Sequence, residues 1–328
     1  MIMIMGRGVN ANFHESIRQI RMIGKEQSSR AGDVMVAPHP VMTITTQPRH
    51  RVLLCPTRDA NPFFHIYEAL WMLAGSNDAK LLDRFVRDFS SRFSGDDGIQ
   101  HAAYGYRWRK LWHFDQLEET VSRLRKDHLD RRVVITMWDP VADYQTAADN
   151  PAAQRDVPCN TQIYLRIVDE HLDMTVTCRS NDIIWGAMGS NIVHFSVLQE
   201  WLAAMIGVGV GRLYQLSNNW HAYREVLDRQ ASTQHWSDAD FMRTTELCTP
   251  DTATAFLSDC EDLLHVSGRE IREHFRTEWF RRTLVPMMQA HNFYREGDMT
   301  SARQRALQVD APDWSRAAVE WLERRTSE

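Results

Sequence analysis

The sequence predicts an α+β fold. Two alternating apolar runs, Ile163-Leu165-Ile167 and Leu172-Met174-Val176-Cys178, flank Asp169-Glu170-His171 and read as a β-hairpin. Helical spacing marks other segments, most clearly Ile192, Phe195, Leu198, Leu202 and Met205. Strands and helices follow no regular strand–helix–strand rhythm, which disfavours a doubly wound parallel sheet.

In chain order, Phe63 to Leu73 repeats apolar residues turn after turn, and Gly75 suits the C-terminal end of a helix. Asp115 followed by Glu118 has the form of a capping box ahead of Leu117, Val121 and Leu124. Val133 to Trp138 is β-branched and apolar, hence a strand. Ile192 to Ile206 is apolar enough for a largely buried helix. Gly207-Val208-Gly209-Val210-Gly211 mimics a nucleotide loop, but it follows a helix where such a loop should follow a strand. The polar stretches Ser90 to Gly98 and Ala147 to Val157 read as loops. Beyond residue 225 the pattern is helical, with Trp314, Ala317, Ala318 and Trp321 forming a packing stripe. The predicted division is a catalytic core over 1–225 and a helical part over 226–328 packed on the same domain.

Composition narrows the function classes. The chain has 328 residues, 43% hydrophobic and 25% charged, which is ordinary globular usage. A net charge of −5 argues against a broad basic surface for nucleic acid. No apolar run reaches the roughly 20 residues of a membrane span. The opening Met1-Ile2-Met3-Ile4-Met5 is too short for a signal peptide. The five cysteines lack CxxC or Cys/His metal spacing, so we expect free thiols, no metal and a cytoplasmic setting.

Several segments offer chemistry. Pro158-Cys159-Asn160 lies between a polar loop and a strand, where a thiol is either a nucleophile or a buried structural group. Cys178-Arg179-Ser180-Asn181-Asp182 ends a strand; Arg179 and Ser180 can hold an anion, and Asp182 can accept from a polar ring. His221 and Tyr223 share a face if their segment is extended. Asp130-Arg131-Arg132 precedes a strand. Each piece alone fits an ordinary structural role as well.

Together these pieces resemble the thymidylate synthase family in order and separation. The matching segments are Ser29-Arg30-Ala31-Gly32, Tyr67-Glu68-Ala69-Leu70-Trp71, Tyr104-Gly105-Tyr106-Arg107-Trp108-Arg109, Asp130-Arg131-Arg132, Pro158-Cys159, Arg179-Ser180-Asn181-Asp182, Asn191-Ile192 and His221-Ala222-Tyr223. The resemblance runs from about residue 10 to 225. It implies a three-layer fold with a mixed sheet, and one-carbon transfer from 5,10-methylenetetrahydrofolate to carbon 5 of a pyrimidine nucleotide. Cys159 would be the nucleophile that adds to carbon 6, with Arg179 favouring its thiolate. Arg30, Arg179 and Ser180 would bind the phosphate with Arg131 and Arg132 from the second subunit of a homodimer. Glu68 would handle protons, Tyr104 would assist proton removal at carbon 5, and Asp182 would contact the pterin. His221 and Tyr223 would bind the sugar hydroxyl, and Arg58 would lie near the folate tail.

Departures from the family bear on the reaction. Asn191 offers a donor and an acceptor to the O4 and N3–H edge of uracil. It follows Gly186-Ala187-Met188-Gly189-Ser190, a stretch one residue longer than usual in the family. Without that insertion Ser190 would sit at the base. Asn160 replaces a histidine. Ser90 and Phe93 stand where synthases carry two tryptophans that pack on folate and exclude water; Phe93 remains a folate contact. The chain ends in a charged helical segment, where synthases have an apolar closing tail. These departures point to a hydroxymethyl product, 5-hydroxymethyl-dUMP. A synthase making a methyl product, a dCMP hydroxymethylase or methylase, and a catalytically silent nucleotide-binding relative are the alternatives.

Overall fold

The hairpin read from the sequence is the centre of a larger sheet. The computed structural model describes residues 1–29, 31–95, 97–149, 156–230, 239–266 and 274–326. Its strands are β1 (Ile2–Gly6), β2 (Lys25–Ser29), β3 (Gly32–Val36), β4 (Val41–Thr45), β5 (Val134–Thr136), β6 (Asn160–Val168), β7 (His171–Asp182) and β8 (Gly209–Tyr223). The main order is β1-β4-β8-β7-β6-β5, with β3 pairing β8 and β2 pairing β3. β1 and β4 run parallel, as do β7 and β8; the other pairs are antiparallel. The β6–β7 turn places both Asp169 and Glu170 at positive φ, as a tight hairpin demands.

The helices are α1 (Val9–Ile23), α2 (Pro62–Leu73), α3 (Phe89–Phe93), α4 (Tyr104–Arg109), α5 (Gln116–Lys126), α6 (Pro140–Asp149), α7 (Asn191–Ile206), α8 (Arg224–Asp228), α9 (Ala253–Leu263), α10 (Val285–Arg295), α11 (Met299–Ala306) and α12 (Pro312–Thr326). Asn61 caps α2, accepting from the backbone N–H of Phe63 and Phe64. Asp115 caps α5 in the same way. α7 is buried along nearly its whole length and packs on β7, β8 and α2, so it is the central core helix.

Side chains on one sheet face are buried, as with Leu172, Met174, Val176 and Leu213. The opposite face is open. A row in register across the sheet, Met3, Met42, Leu216, Thr177, Gln162 and Thr136, is half-buried or exposed throughout.

Two loops differ from expectation. Ser90 to Phe93, the start of the first polar stretch, belongs to the helical turn Phe89–Phe93, entered from Asp88 at φ 58. Of the Ala147 segment, residues 147–149 end α6, while residues 150–155 lie outside the described residues. After Tyr223 the described residues hold helices and no strand. α12 packs inward through Trp314, Ala317, Ala318 and Trp321, and Trp321 meets Phe63 of α2 edge-on at 5.4 Å. No helix among the described residues is long and apolar enough to cross a membrane.

Candidate active site

Cys159 stands at the head of β6, beside the end of β7. The backbone N–H of Arg179 donates to the Cys159 carbonyl at 2.9 Å. The Arg179 guanidinium donates to the carbonyls of Pro158 at 2.8 Å and Val157 at 3.1 Å, and Nη2 lies 4.0 Å from Cys159 Sγ. Tyr104, on α4, accepts from the backbone N–H of Asn160 at 3.4 Å. The thiol, the phenol and the guanidinium therefore meet at one strand end.

Burial pushes the Cys159 thiol up and outweighs the opposing pull of Arg179. Burial, with Cys159 nearby, also pushes the Tyr104 phenol well up. Desolvation is the largest influence on both groups; Arg179 opposes it at Cys159, and the hydrogen bonding to Asn160 opposes it at Tyr104.

Two helices supply the next layer. Glu68 on α2 and His194 on α7 are both buried, and His194 Nε2 lies 2.9 Å from Glu68 Oε2. Asn191 opens α7 and donates through Nδ2 to Asn181 Oδ1 at 3.2 Å; Asn181 in turn donates to Ser217 Oγ at 3.0 Å. The long stretch before Asn191 forms a π-type turn over Ile183–Ser190. Such wide turns absorb an added residue without shifting the helix that follows. Gly189 completes this turn where a Cβ would lie 2.9 Å from the Ile184 carbonyl oxygen. Ser190 lines the adjacent cleft, while Asn191 faces Asn181.

That cleft encloses about 510 Å³ and is walled by Arg58, Phe64, His65, Glu68, Phe89, Phe93, Trp185 and Tyr223, among others. Arg58 lies over the Trp185 ring at 4.2 Å and donates to the Ile184 carbonyl at 2.9 Å. Burial lowers its pKa to about 10, so it stays cationic. Asp182 accepts from the Trp185 backbone N–H through Oδ1, while its buried Oδ2 has no hydrogen-bond partner among the described residues. Burial raises the Asp182 carboxyl. A flat, polar-edged ring with an anionic tail matches these groups: aromatic walls, an unmatched acceptor and a fixed cation. The folate co-substrate therefore fits the residues present.

Phe93 lines the cleft and stays 43% exposed. Ser90 turns away, its N–H and hydroxyl both donating to Asp83. His221 and Tyr223 lie on one stretch of β8 with rings 5.7 Å apart, and His221 pairs in register with Asp182. Ser180 is half-buried on β7.

Not every predicted residue joins this cluster. Arg30 lies outside the described residues. Arg131 and Arg132 are exposed ahead of β5, and Asp130 holds Arg132 at 2.8 Å. No described contact links either arginine to Cys159. Conversely, His194, Asn181 and Trp185 were not foreseen. Their signal was weak: His194 follows Asn191 by three residues on one helical face, and Asn181 sits inside the already noted polar strand end. The C-terminal helix also reaches the cleft wall. Arg324 donates to Asp59 at 2.9 Å and Arg325 at 2.7 Å, beside Arg58.

A strand-end cysteine flanked by arginine and tyrosine suits covalent catalysis on a nucleotide. The thymidylate synthase family model matches residues 11–263. The chain belongs to the thymidylate synthase family. The deoxyuridylate hydroxymethyltransferase of Pseudomonas phage M6 is 40% identical over 343 aligned positions, which cover 99% of this chain and 95% of that protein. The enzyme of that name from Bacillus phage SP01 is 32% identical, covering 56% of this chain and 49% of its own. That from Delftia phage PhiW-14 is 30% identical, covering 68% and 62%.

Proposed function

We propose that this protein transfers a one-carbon unit to carbon 5 of dUMP and releases 5-hydroxymethyl-dUMP. The whole-length similarity to a phage deoxyuridylate hydroxymethyltransferase supports this substrate and product. The observation that carries the choice of product is the cleft wall at Ser90 and Phe93. One is tied to Asp83 and the other is a half-exposed phenyl ring, so water reaches a space that a pair of indoles would seal.

The roles follow from the chemistry. Cys159 adds as thiolate to carbon 6, and the ring electrons shift to make carbon 5 nucleophilic. Bound methylenetetrahydrofolate supplies the one-carbon unit and departs as tetrahydrofolate. Asp182 and Arg58 would hold its pterin and tail, with Phe93 and Trp185 against its rings. Tyr104, at the Asn160 end of the site, assists removal of the carbon 5 proton. Water then adds to the exocyclic methylene carbon, Glu68 takes the proton, and the ring electrons return to expel Cys159. Arg30, Arg179 and Ser180 grip the phosphate, and His221 and Tyr223 the sugar hydroxyl.

The unit is a homodimer in this reading, with Arg131 and Arg132 given to the phosphate across the interface. The open sheet face from Met3 to Thr136 supports it, since a sheet with one uncovered face needs a partner surface. The 226–328 part belongs to the same unit, supported by Trp321 against Phe63 and by Arg324 and Arg325 on Asp59. The phage origin of the relatives supports action in the cytoplasm of an infected cell.

Mass spectrometry of the nucleotide after incubation with methylenetetrahydrofolate tests the reading. The expected product from dUMP carries one oxygen more than a methylated product. A methyl product would mean a synthase, and product from dCMP alone would mean a cytidylate enzyme. Asn191 sets the base through its amide. Asn191→Asp removes the donor to O4, and the ratio of kcat/KM for dCMP over dUMP should rise by about 10²-fold. An unchanged ratio in steady-state assays would remove Asn191 from base recognition.

A further inference from the structure

The Glu68–His194 pair is a built feature. Glu68 comes from α2 and His194 from α7, both are buried, and the contact at 2.9 Å engages Oε2 of the carboxylate. No hydrogen bond among the described residues engages Oε1, while Glu68 lines the cleft. Among the described residues His194 Nδ1 has no hydrogen-bond partner, and the ring's hydrogen bond is the one to Glu68. His194 also lies one turn after Asn191, so a single helix face carries the residue read above as base-reading and the holder of the carboxylate.

We propose that His194 is a positioning residue for the water-addition step: by donating to Oε2 it fixes the carboxylate so that Oε1 faces the water. The inference rests on the functional reading above. In the step, the water oxygen bonds to the exocyclic methylene carbon. The methylene π electrons move into the ring as an enolate, and the water's proton passes to Oε1 of Glu68. The enolate then reforms the ring double bond and releases the Cys159 thiolate from carbon 6. Nothing is oxidised or reduced. A carboxylate free to rotate in a buried site would present Oε1 to water only part of the time, and loss of general-base alignment costs about 10²–10⁴-fold in rate.

Single-turnover assays on the full-length protein with [5-³H]dUMP and methylenetetrahydrofolate separate the steps. In His194→Ala we expect tritium release within about threefold of wild type, and hydroxymethyl product forming about 10²-fold more slowly. The dUMP Kd by calorimetry, without folate, should move less than about threefold, as expected of a residue that acts through Glu68 and not on the nucleotide. His194→Gln keeps an N–H for Oε2 and should recover at least about tenfold of the loss. Product formation at the wild-type rate in His194→Ala would overturn the proposal. So would equal slowing of both steps, or a folded Gln variant no better than Ala. Failure of the wild-type protein itself to make hydroxymethyl-dUMP would instead overturn the functional reading.

Discussion

Cys159→Ser will abolish product formation, by at least about 10⁴-fold in kcat, while dUMP still binds. A hydroxyl adds to carbon 6 far less readily than a thiolate, and the neighbouring Cys178 thiol is buried and donates to the Ser180 carbonyl at 3.0 Å. Because burial holds the wild-type thiol up, iodoacetamide labelling of Cys159 should rise about tenfold per pH unit between pH 7 and 8. Arg179→Ala removes the opposing cation and should slow that labelling further. The same serine variant tests the proposed exchange of Arg131 and Arg132 between subunits. Mixed with an Arg131→Ala/Arg132→Ala double variant, it should regain activity, since in the proposed dimer a hybrid holds one intact site. Retained turnover in Cys159→Ser, read by tritium release from carbon 5, would sink the covalent mechanism. Absence of complementation would sink the exchange of arginines while leaving the nucleophile in place.

How far this site could be read in advance depends on where local chemistry agrees with global packing. The Asp115 cap, the buried α7 and the β6–β7 hairpin follow rules that span a few residues, and they stand where the sequence puts them. β8 broke the rule. Its inward positions include Gln215 and Ser217, buried because they serve Ala187 and Asn181, so apolar alternation never marked it as a strand. The short strands β1 to β4 failed for another reason: β2 is exposed throughout, and β1 alternates Met with Ile at the very edge of the sheet. The inserted residue before Asn191 was legible as a count but not as a π-type turn, in which the Ile184 carbonyl accepts from Arg58, 126 positions away. The Glu68–His194 pair spans 126 positions, and no pattern of one helix could announce it. Cys159, Tyr104 and Asp182 were legible through resemblance, but the upward push on all three groups follows from burial, which a sequence does not display.

Gly105→Ala will lower both stability and turnover, and the reason lies between the two helices that bear Glu68 and Tyr104. A Cβ on Gly105 would lie 1.8 Å from the carbonyl oxygen of Met72 and 2.5 Å from its carbonyl carbon. Relief requires α4 to move off α2 by about 1.5 Å, since non-bonded carbon contacts settle near 3.5 Å. α4 has little room to retreat. On its other side the Arg107 guanidinium grips Asp143 with two hydrogen bonds, at 2.7 and 2.8 Å, and donates to the carbonyls of His101 and Met137. Both members of that ion pair are buried, and breaking it costs about 3–5 kcal/mol. The clash therefore resolves by strain, which we expect to cost about 3 kcal/mol in thermal or urea unfolding. Any displacement of α4 carries Tyr104 away from Asn160 and Cys159, and a shift of about 1 Å at a reacting group costs about 10²-fold in rate. Gly297→Ala is the control. That residue has φ 83 with nothing within 4 Å of the added carbon, so it should cost about 1 kcal/mol from backbone strain alone and leave kcat unchanged. If Gly105→Ala melts and turns over like the wild type, the close approach of α2 and α4 is not what sets the distance between proton-handling residue and nucleophile.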